Sequence, residues 1–203
     1  MLTPLPYPII LASQSPRRRE LLALTLLPFE TMSVDTPEAL NPMLSPEENV
    51  LAIAHEKADA AARIIAKEGR QAIIITADTM VAQGKHIFGK PADFNEAFAM
   101  LQHLQGKTHQ VHTAFTICTP TMKHSECVTT QVTIEAMASN AIAHYLEQQK
   151  PYDKAGSYGI QDPLMACYIK RINGCYYNVM GLPLSRVWAA LKIMLPTNNA
   201  SAH

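Results

Sequence analysis

Ile9-Ile10-Leu11-Ala12-Ser13-Gln14-Ser15-Pro16-Arg17-Arg18-Arg19 passes from an apolar run, through small polar residues, to a proline followed by arginines. Ile9 to Ala12 reads as a short buried strand. Pro16 reads as the first helical position, because the N–H that proline lacks would go unused there. The helix it opens carries Leu21, Leu22, Leu24 and Leu26. Strand, turn and helix in that order are the unit from which α/β folds are built.

Ser45-Pro46-Glu47-Glu48 is a capping box with proline behind the cap, and it predicts a long amphipathic helix to about Lys67. Ala72 to Ala82 is a β-branched run closed by Gln83-Gly84, which predicts an interior strand followed by a hairpin turn. Asp93 with Glu96 caps a further helix ending at Gly106. The alternating stretches 109–119 and 126–136 predict paired strands, and 140–149 a helix. An irregular loop with Gly156 and Gly159 follows. Cys167 to Ile172 and Tyr176 to Met180 predict a hairpin around Asn173-Gly174, and Leu184 to Leu195 a closing helix. This order is neither regular βαβ repetition nor wholly antiparallel. It predicts an α/β fold: a single domain over 1–195 with a mixed, twisted sheet flanked by helices, then a loose tail over 196–203.

The 203 residues, 48% of them hydrophobic, suffice for one substantial core. Lys plus Arg and Asp plus Glu number 17 each, so no global basic excess exists to neutralise a nucleic-acid backbone, and phosphate binding would have to be local. Cys118, Cys127, Cys167 and Cys175 show no CxxC spacing and fit a reducing compartment. Met1 to Ile10 carries no basic n-region, and no apolar run approaches the roughly 20 residues of a membrane-spanning helix. The expectation is a cytoplasmic protein with neither a nucleic-acid nor a membrane partner; whether it works as a monomer or a homodimer is left open.

Individual residues stand out because they oppose their surroundings. Arg17, Arg18 and Arg19 occupy a first helical turn, where the macrodipole is already positive and each charge is misplaced by about 0.3–1 kcal/mol. A bound anion reverses that sign; the alternative is a solvated basic turn. Asp78 interrupts Ile73-Ile74-Ile75-Thr76-Ala77 and Met80-Val81, where a carboxylate needs a cation, a metal or several donors; otherwise it ends the strand and bonds to backbone. Lys57 lies on the apolar stripe of Val50, Ile53, Ala61 and Ile64, where a lysine commonly snorkels to water. Lys90 in Gly89-Lys90-Pro91 is a weak signal alone. Asp153 to Gln161 mixes charge, glycine and tyrosine like a binding loop, and Gln161 offers an amide that can read a base edge or simply be exposed. His109 and His112, three apart on a strand, turn to opposite faces and make a poor metal pair. No P-loop, GxSxG or HExxH is present.

Taken together, Leu11-Ala12-Ser13-Gln14-Ser15-Pro16-Arg17-Arg18, Glu56-Lys57-Ala58, Ala77-Asp78-Thr79, Gly89-Lys90-Pro91, Asp153-Lys154-Ala155-Gly156-Ser157-Tyr158-Gly159-Ile160-Gln161 and Gly181-Leu182-Pro183-Leu184 resemble the motifs of the Maf family of nucleotide pyrophosphatases, over nearly the whole chain. The resemblance implies a fold like that of the inosine triphosphatases, with a nucleotide-binding cleft. It also implies hydrolysis of a nucleoside triphosphate between its α and β phosphates, with a divalent cation, Mg²⁺ or Mn²⁺, as cofactor. It places the catalytic acid at Asp78 and substrate contacts at Ser13, Ser15, Arg18, Lys57, Lys90 and Lys154. Arg17, Thr79 and Gln161 match the branch acting on dTTP and UTP rather than the one acting on 7-methyl-GTP. Some Maf proteins were first linked to inhibition of septum formation, which keeps a nucleotide-binding regulator as a further reading. Asp35-Thr36-Pro37-Glu38 departs from the family's neighbouring pair of acids; Glu38 is the match, and with Asp78 it is the implied metal ligand.

Overall fold

The computed structural model describes residues 5–195. Its elements are strand β1 (Ile9–Ala12), helix α1 (Pro16–Ala23), β2 (Phe29–Met32), α2 (Pro46–Lys67), β3 (Ile73–Gln83), β4 (His86–Phe88) and α3 (Phe94–Leu104). After them come β5 (Thr108–Cys118), β6 (Lys123–Ile134), α4 (Ser139–Gln149), a 3₁₀ turn (Ala155–Ser157), α5 (Pro163–Ala166), β7 (Ile169–Asn173), α6 (Tyr176–Met180) and α7 (Leu184–Met194). The strands form one seven-stranded sheet in the order β2-β1-β3-β5-β6-β7, with β4 beside β3. β1 runs parallel to β2 and β3, and the remaining pairings are antiparallel, so the sheet is mixed as expected.

The two-residue alternation of β3 sends its side chains to different layers. Ile73, Ile75 and Ala77 pack with Leu21 and Leu22 of α1 and with Val187, Ala190 and Leu191 of α7. On the other face Ile74 packs with Ala58, Ala61 and Ile65, and Met80 with Val50, Ile53 and Ala54, all from α2. The α2 stripe thus continues through Ile65; Ile64 is half exposed. Ser45 and Glu48 close the expected capping box, their side chains and N–H groups bonding reciprocally at 3.2 and 2.8 Å.

The sheet is interrupted beside β3. β1 pairs with β3 only as far as Ile75, and β4 takes over the same edge only from Val81. Thr76 to Met80 are therefore paired with β5 on one side and open on the other. That gap, at the carboxyl end of β1, is where an open α/β sheet places a ligand.

Several expectations are corrected. No hairpin surrounds Asn173-Gly174: β7 ends there and Tyr176–Met180 is helical. Cys175 N–H donates to Thr130 Oγ1, and the buried Asn178 amide donates to Val111 O and Thr130 Oγ1, so the segment is tied across β5 and β6 instead of returning along β7. α1 ends at Ala23, leaving Leu24 and Leu26 exposed. Edge strand β2 and the short α5 carry too few patterned residues to be read locally. The tail expected over 196–203 lies outside the described residues.

Candidate active site

The gap beside β3 opens into a cleft of about 590 Å³ whose lining includes Ser13, Ser15, Arg17, Arg18, Glu38, Lys57, Asp78, Thr79, Lys90, Lys154 and Gln161. Every residue singled out above for a substrate or metal contact thus faces one space, although they come from six separate stretches of chain.

Asp78 and Thr79 are neighbours whose side chains leave β3 in opposite directions, so the two walls of the cleft are built from one strand. On the α2 side, Lys57 does not snorkel to water. It is 8% exposed, and its Nζ donates to Asp78 Oδ1 at 2.8 Å and meets Glu38 Oε1 at 2.6 Å. The Asp78 carboxylate is thereby matched by a cation instead of ending the strand on backbone. Burial works to raise the pKa of Glu38, but the hydrogen bond and charge of Lys57, reinforced by Lys90 and Arg18 at longer range, hold it below the ordinary carboxylate value. Glu38 has φ +48, a left-handed backbone that non-glycine residues seldom adopt, which turns its side chain towards Lys57 from an otherwise irregular segment.

On the α1 side, Ser15 caps the helix without a side-chain bond to it, and the first intrahelical bond is Arg19 N–H to Ser15 O. The N–H groups of Arg17 and Arg18 precede that bond, where a helix start presents free donors to an anion. Arg18 is held by Nε–H to Gly181 O at 2.9 Å, Nη2–H to Thr79 Oγ1 at 3.0 Å and Nη1–H to Ser13 Oγ at 3.4 Å. Burial lowers its pKa, with Asp78 acting the other way and Arg17 adding to the lowering; a guanidinium remains charged regardless. Thr113 Oγ1 donates to Asn178 O at 2.8 Å, so in the 3.0 Å pair with Thr113 it is Thr79 that donates. The run Arg18 to Thr79 to Thr113 to Asn178 O therefore has one direction, anchored in the core. A Cβ at Gly181, where φ is +115, would meet Thr79 Oγ1 at 3.4 Å and Arg18 Nε at 3.6 Å.

Arg17 crosses the cleft mouth to Asp153, Nη1 to Oδ2 at 2.6 Å, and Lys154 Nζ meets the other oxygen at 2.9 Å. Burial acts to raise the Asp153 pKa, but the hydrogen bonds from Lys154 and Arg17 outweigh it. The anchoring roles of Asp153 and of the Gly181 carbonyl escape sequence reasoning, and the only local signal for either is membership of a glycine-containing loop. His109 and His112 do face apart: His109 Nε2 bonds Tyr158 Oη at 2.7 Å, while His112 Nδ1 bonds Thr129 Oγ1 at 2.9 Å and lies 3.4 Å from Glu47 of α2.

For a metal, the donor set is hard oxygen. Asp78 and Glu38 converge on one ammonium, and among the described residues no group of three His, Cys, Asp or Glu side chains gathers as a cage. Two carboxylates suit Mg²⁺ or Mn²⁺ when phosphate oxygens and water complete the shell, and they do not suit an all-protein site.

Free helix-start donors and arginines on one wall, carboxylates around a buried ammonium on the other, and an open strand edge between them define an α/β protein with a cleft whose donors and charges suit a polyanion. Residues 8–194 match the family model described as Maf-like protein, and the chain belongs to that family. It is 80% identical over 191 residues to a dTTP/UTP pyrophosphatase of Chlorobium chlorochromatii (strain CaD3), covering 94% of this chain and 97% of that one. It is 60% identical over 187 residues to a dTTP/UTP pyrophosphatase of Pelodictyon phaeoclathratiforme (strain DSM 5477 / BU-1), covering 92% and 97%. Among solved structures, the Staphylococcus aureus Ham1 protein aligns with TM-score 0.45 and 17% identity over 63% of this chain and 71% of that one, a likeness too distant to bear on chemistry.

Proposed function

We infer that the protein is a nucleoside triphosphate pyrophosphatase that hydrolyses dTTP and UTP to the nucleoside monophosphate and pyrophosphate. What carries this reading is the convergence of Arg18, Lys57 and Lys90 with the Asp78 and Glu38 carboxylates around the open edge of β3. The dTTP/UTP pyrophosphatase relatives support the choice of substrate.

In this reading the helix start and Arg18 hold phosphate oxygens, Lys57 and Lys90 add point charges, and Arg17, Thr79, Lys154 and Gln161 face the nucleoside. Asp78 and Glu38 would hold a divalent cation, which supplies charge neutralisation on phosphate oxygens and acidifies a bound water. Asp78 orients the attacking water and accepts its proton. The water oxygen bonds to the α-phosphorus as the bond to the bridging oxygen breaks, and pyrophosphate departs with the electron pair, stabilised by the cationic side chains. Lys57 uses two of its three N–H donors on Asp78 and Glu38, which leaves one for a phosphate oxygen.

The same reading takes residues 1–195 as one Maf-like domain and the protein as cytoplasmic, without a nucleic-acid or membrane partner. Balanced charge supports the lack of a nucleic-acid partner; among the described residues no helix is long and apolar enough to cross a membrane. Asp78→Asn at saturating Mg²⁺ tests the chemistry. A loss of about 10²–10⁴-fold in kcat is expected for a proton acceptor; near-normal turnover would remove Asp78 from the reaction.

A further inference from the structure

Gln161 lines the cleft while the preceding Ile160 is buried in the core, so the chain turns sharply between them. The turn is Gly159-Ile160-Gln161-Asp162, and it is closed twice at its base. Asp162 N–H donates to Gly159 O at 3.0 Å, and Gly159 N–H donates to Asp162 Oδ2 at 3.1 Å. A third group completes the closure from outside: Tyr145 of α4 donates its hydroxyl to Asp162 Oδ2 at 2.6 Å and lies 3.1 Å from the same Gly159 N–H. The cluster is buried, with Tyr145 1% and Asp162 8% exposed. It is also tight, since a Cβ on Gly159 would lie 2.5 Å from Asp162 Oδ1. Asp162 is further pinned as the residue before α5, its carbonyl accepting from Ala166 N–H at 3.0 Å. A carboxylate buried without a cation is costly unless its hydrogen bonds serve something. Here they set the corner on which Gln161 is carried, and neither Tyr145 nor Asp162 itself lines the cleft.

We propose that Tyr145 and Asp162 are positioning residues for Gln161, a buried clamp that holds its amide where it meets the pyrimidine ring and so sets base selectivity from outside the cleft. The inference rests on the pyrimidine-nucleotide reading above. Because the clamp meets the cleft at the turn that carries Gln161 and bonds none of Arg18, Lys57 or Lys90, its loss should weaken recognition of the base while leaving the phosphate end of the site intact.

The test is a double-mutant cycle on pyrophosphate release, combining Tyr145→Phe with Gln161→Ala and, separately, Asp162→Leu with Gln161→Ala, using UTP and 7-methyl-GTP. Loss of one hydrogen bond predicts a rise of about fivefold in KM for UTP in Tyr145→Phe, with kcat little changed and 7-methyl-GTP turnover unaffected. Gln161→Ala should cost markedly less in either clamp variant than in the parent protein. Asp162→Leu guards against a folding artefact particular to one substitution, since it keeps the approximate size of the side chain but removes the oxygen that accepts from both Tyr145 and Gly159. Equal losses for both nucleotides, or a Gln161→Ala cost unchanged in both variants, overturn the clamp while leaving the pyrophosphatase reading standing. An unmutated protein that hydrolyses neither UTP nor dTTP overturns that reading, and the clamp with it.

Discussion

Lys57→Met removes the ammonium from between Asp78 and Glu38 while preserving most of the side-chain stem. In the parent protein Nζ lies 2.8 Å from Asp78 Oδ1 and 2.6 Å from Glu38 Oε1, with the Asp78 side chain 13% exposed and that of Glu38 44% exposed. Glu38 can turn to water, so its loss of a partner counts for little. Asp78 cannot, and removing one member of a buried pair costs about 3–5 kcal/mol. Arg18 lies close enough to act on Asp78, which places the expectation at the low end, about 3 kcal/mol. For a domain of this size that is a fall in Tm of about 6–12 °C. The variant also leaves two carboxylates facing each other without a cation, so millimolar Mg²⁺ should raise its Tm more than it raises that of the parent. Thermal melts with and without Mg²⁺ read both effects. A variant melting within about 1 °C of the parent, or gaining no more from Mg²⁺ than the parent does, would refute the shared-ammonium account.

Two further outcomes are expected. Burial pushes His109 down to about 4, so the folded protein keeps it neutral while the unfolded chain takes a proton below about 6.5. The unfolded state then binds more protons, and stability falls as pH drops from about 6.5 to about 4 by about 3 kcal/mol from this group. Chemical denaturation across that range should show His109→Gln, whose amide still reaches Tyr158, losing less by that amount. Asp153→Asn breaks a partly exposed pair with Arg17 and should cost under about 1 kcal/mol in stability. In steady-state kinetics it should instead raise KM for UTP several-fold with kcat little changed, because Arg17 and Lys154 lose their common anchor.

The parts of this fold that could be read from sequence are those whose signals are local. The Ser45-Pro46-Glu47-Glu48 capping box, the proline opening α1 and the β-branched run ending at Gln83-Gly84 each state their structure within a few residues. β2 does not: four residues on a sheet edge, with Glu30 exposed, show neither a buried run nor full alternation. Tyr176–Met180 misled because Asn173-Gly174 does turn the chain, while bonds to β5 and β6, distant in sequence, decide that the residues after the turn coil into a helix. The interruption between β1 and β4 was equally invisible, being a property of pairing registers.

The candidate site divides in the same way. Arg17, Arg18, Lys57 and Asp78 stood out because each opposes its own environment, whether helix dipole, apolar stripe or β-branched run. Their partners did not. Asp153 meets Arg17 across 136 positions, and Asp162 looks like an ordinary turn residue until Tyr145 closes over it.

The central claim is tested most directly by presenting purified protein with equal concentrations of UTP, dTTP and 7-methyl-GTP in Mg²⁺ and quantifying the nucleotide products together with pyrophosphate. The account predicts UMP and dTMP with stoichiometric pyrophosphate, formed much faster than 7-methyl-GMP. Faster consumption of 7-methyl-GTP, release of orthophosphate with a nucleoside diphosphate, or tight binding of UTP without turnover would contradict it.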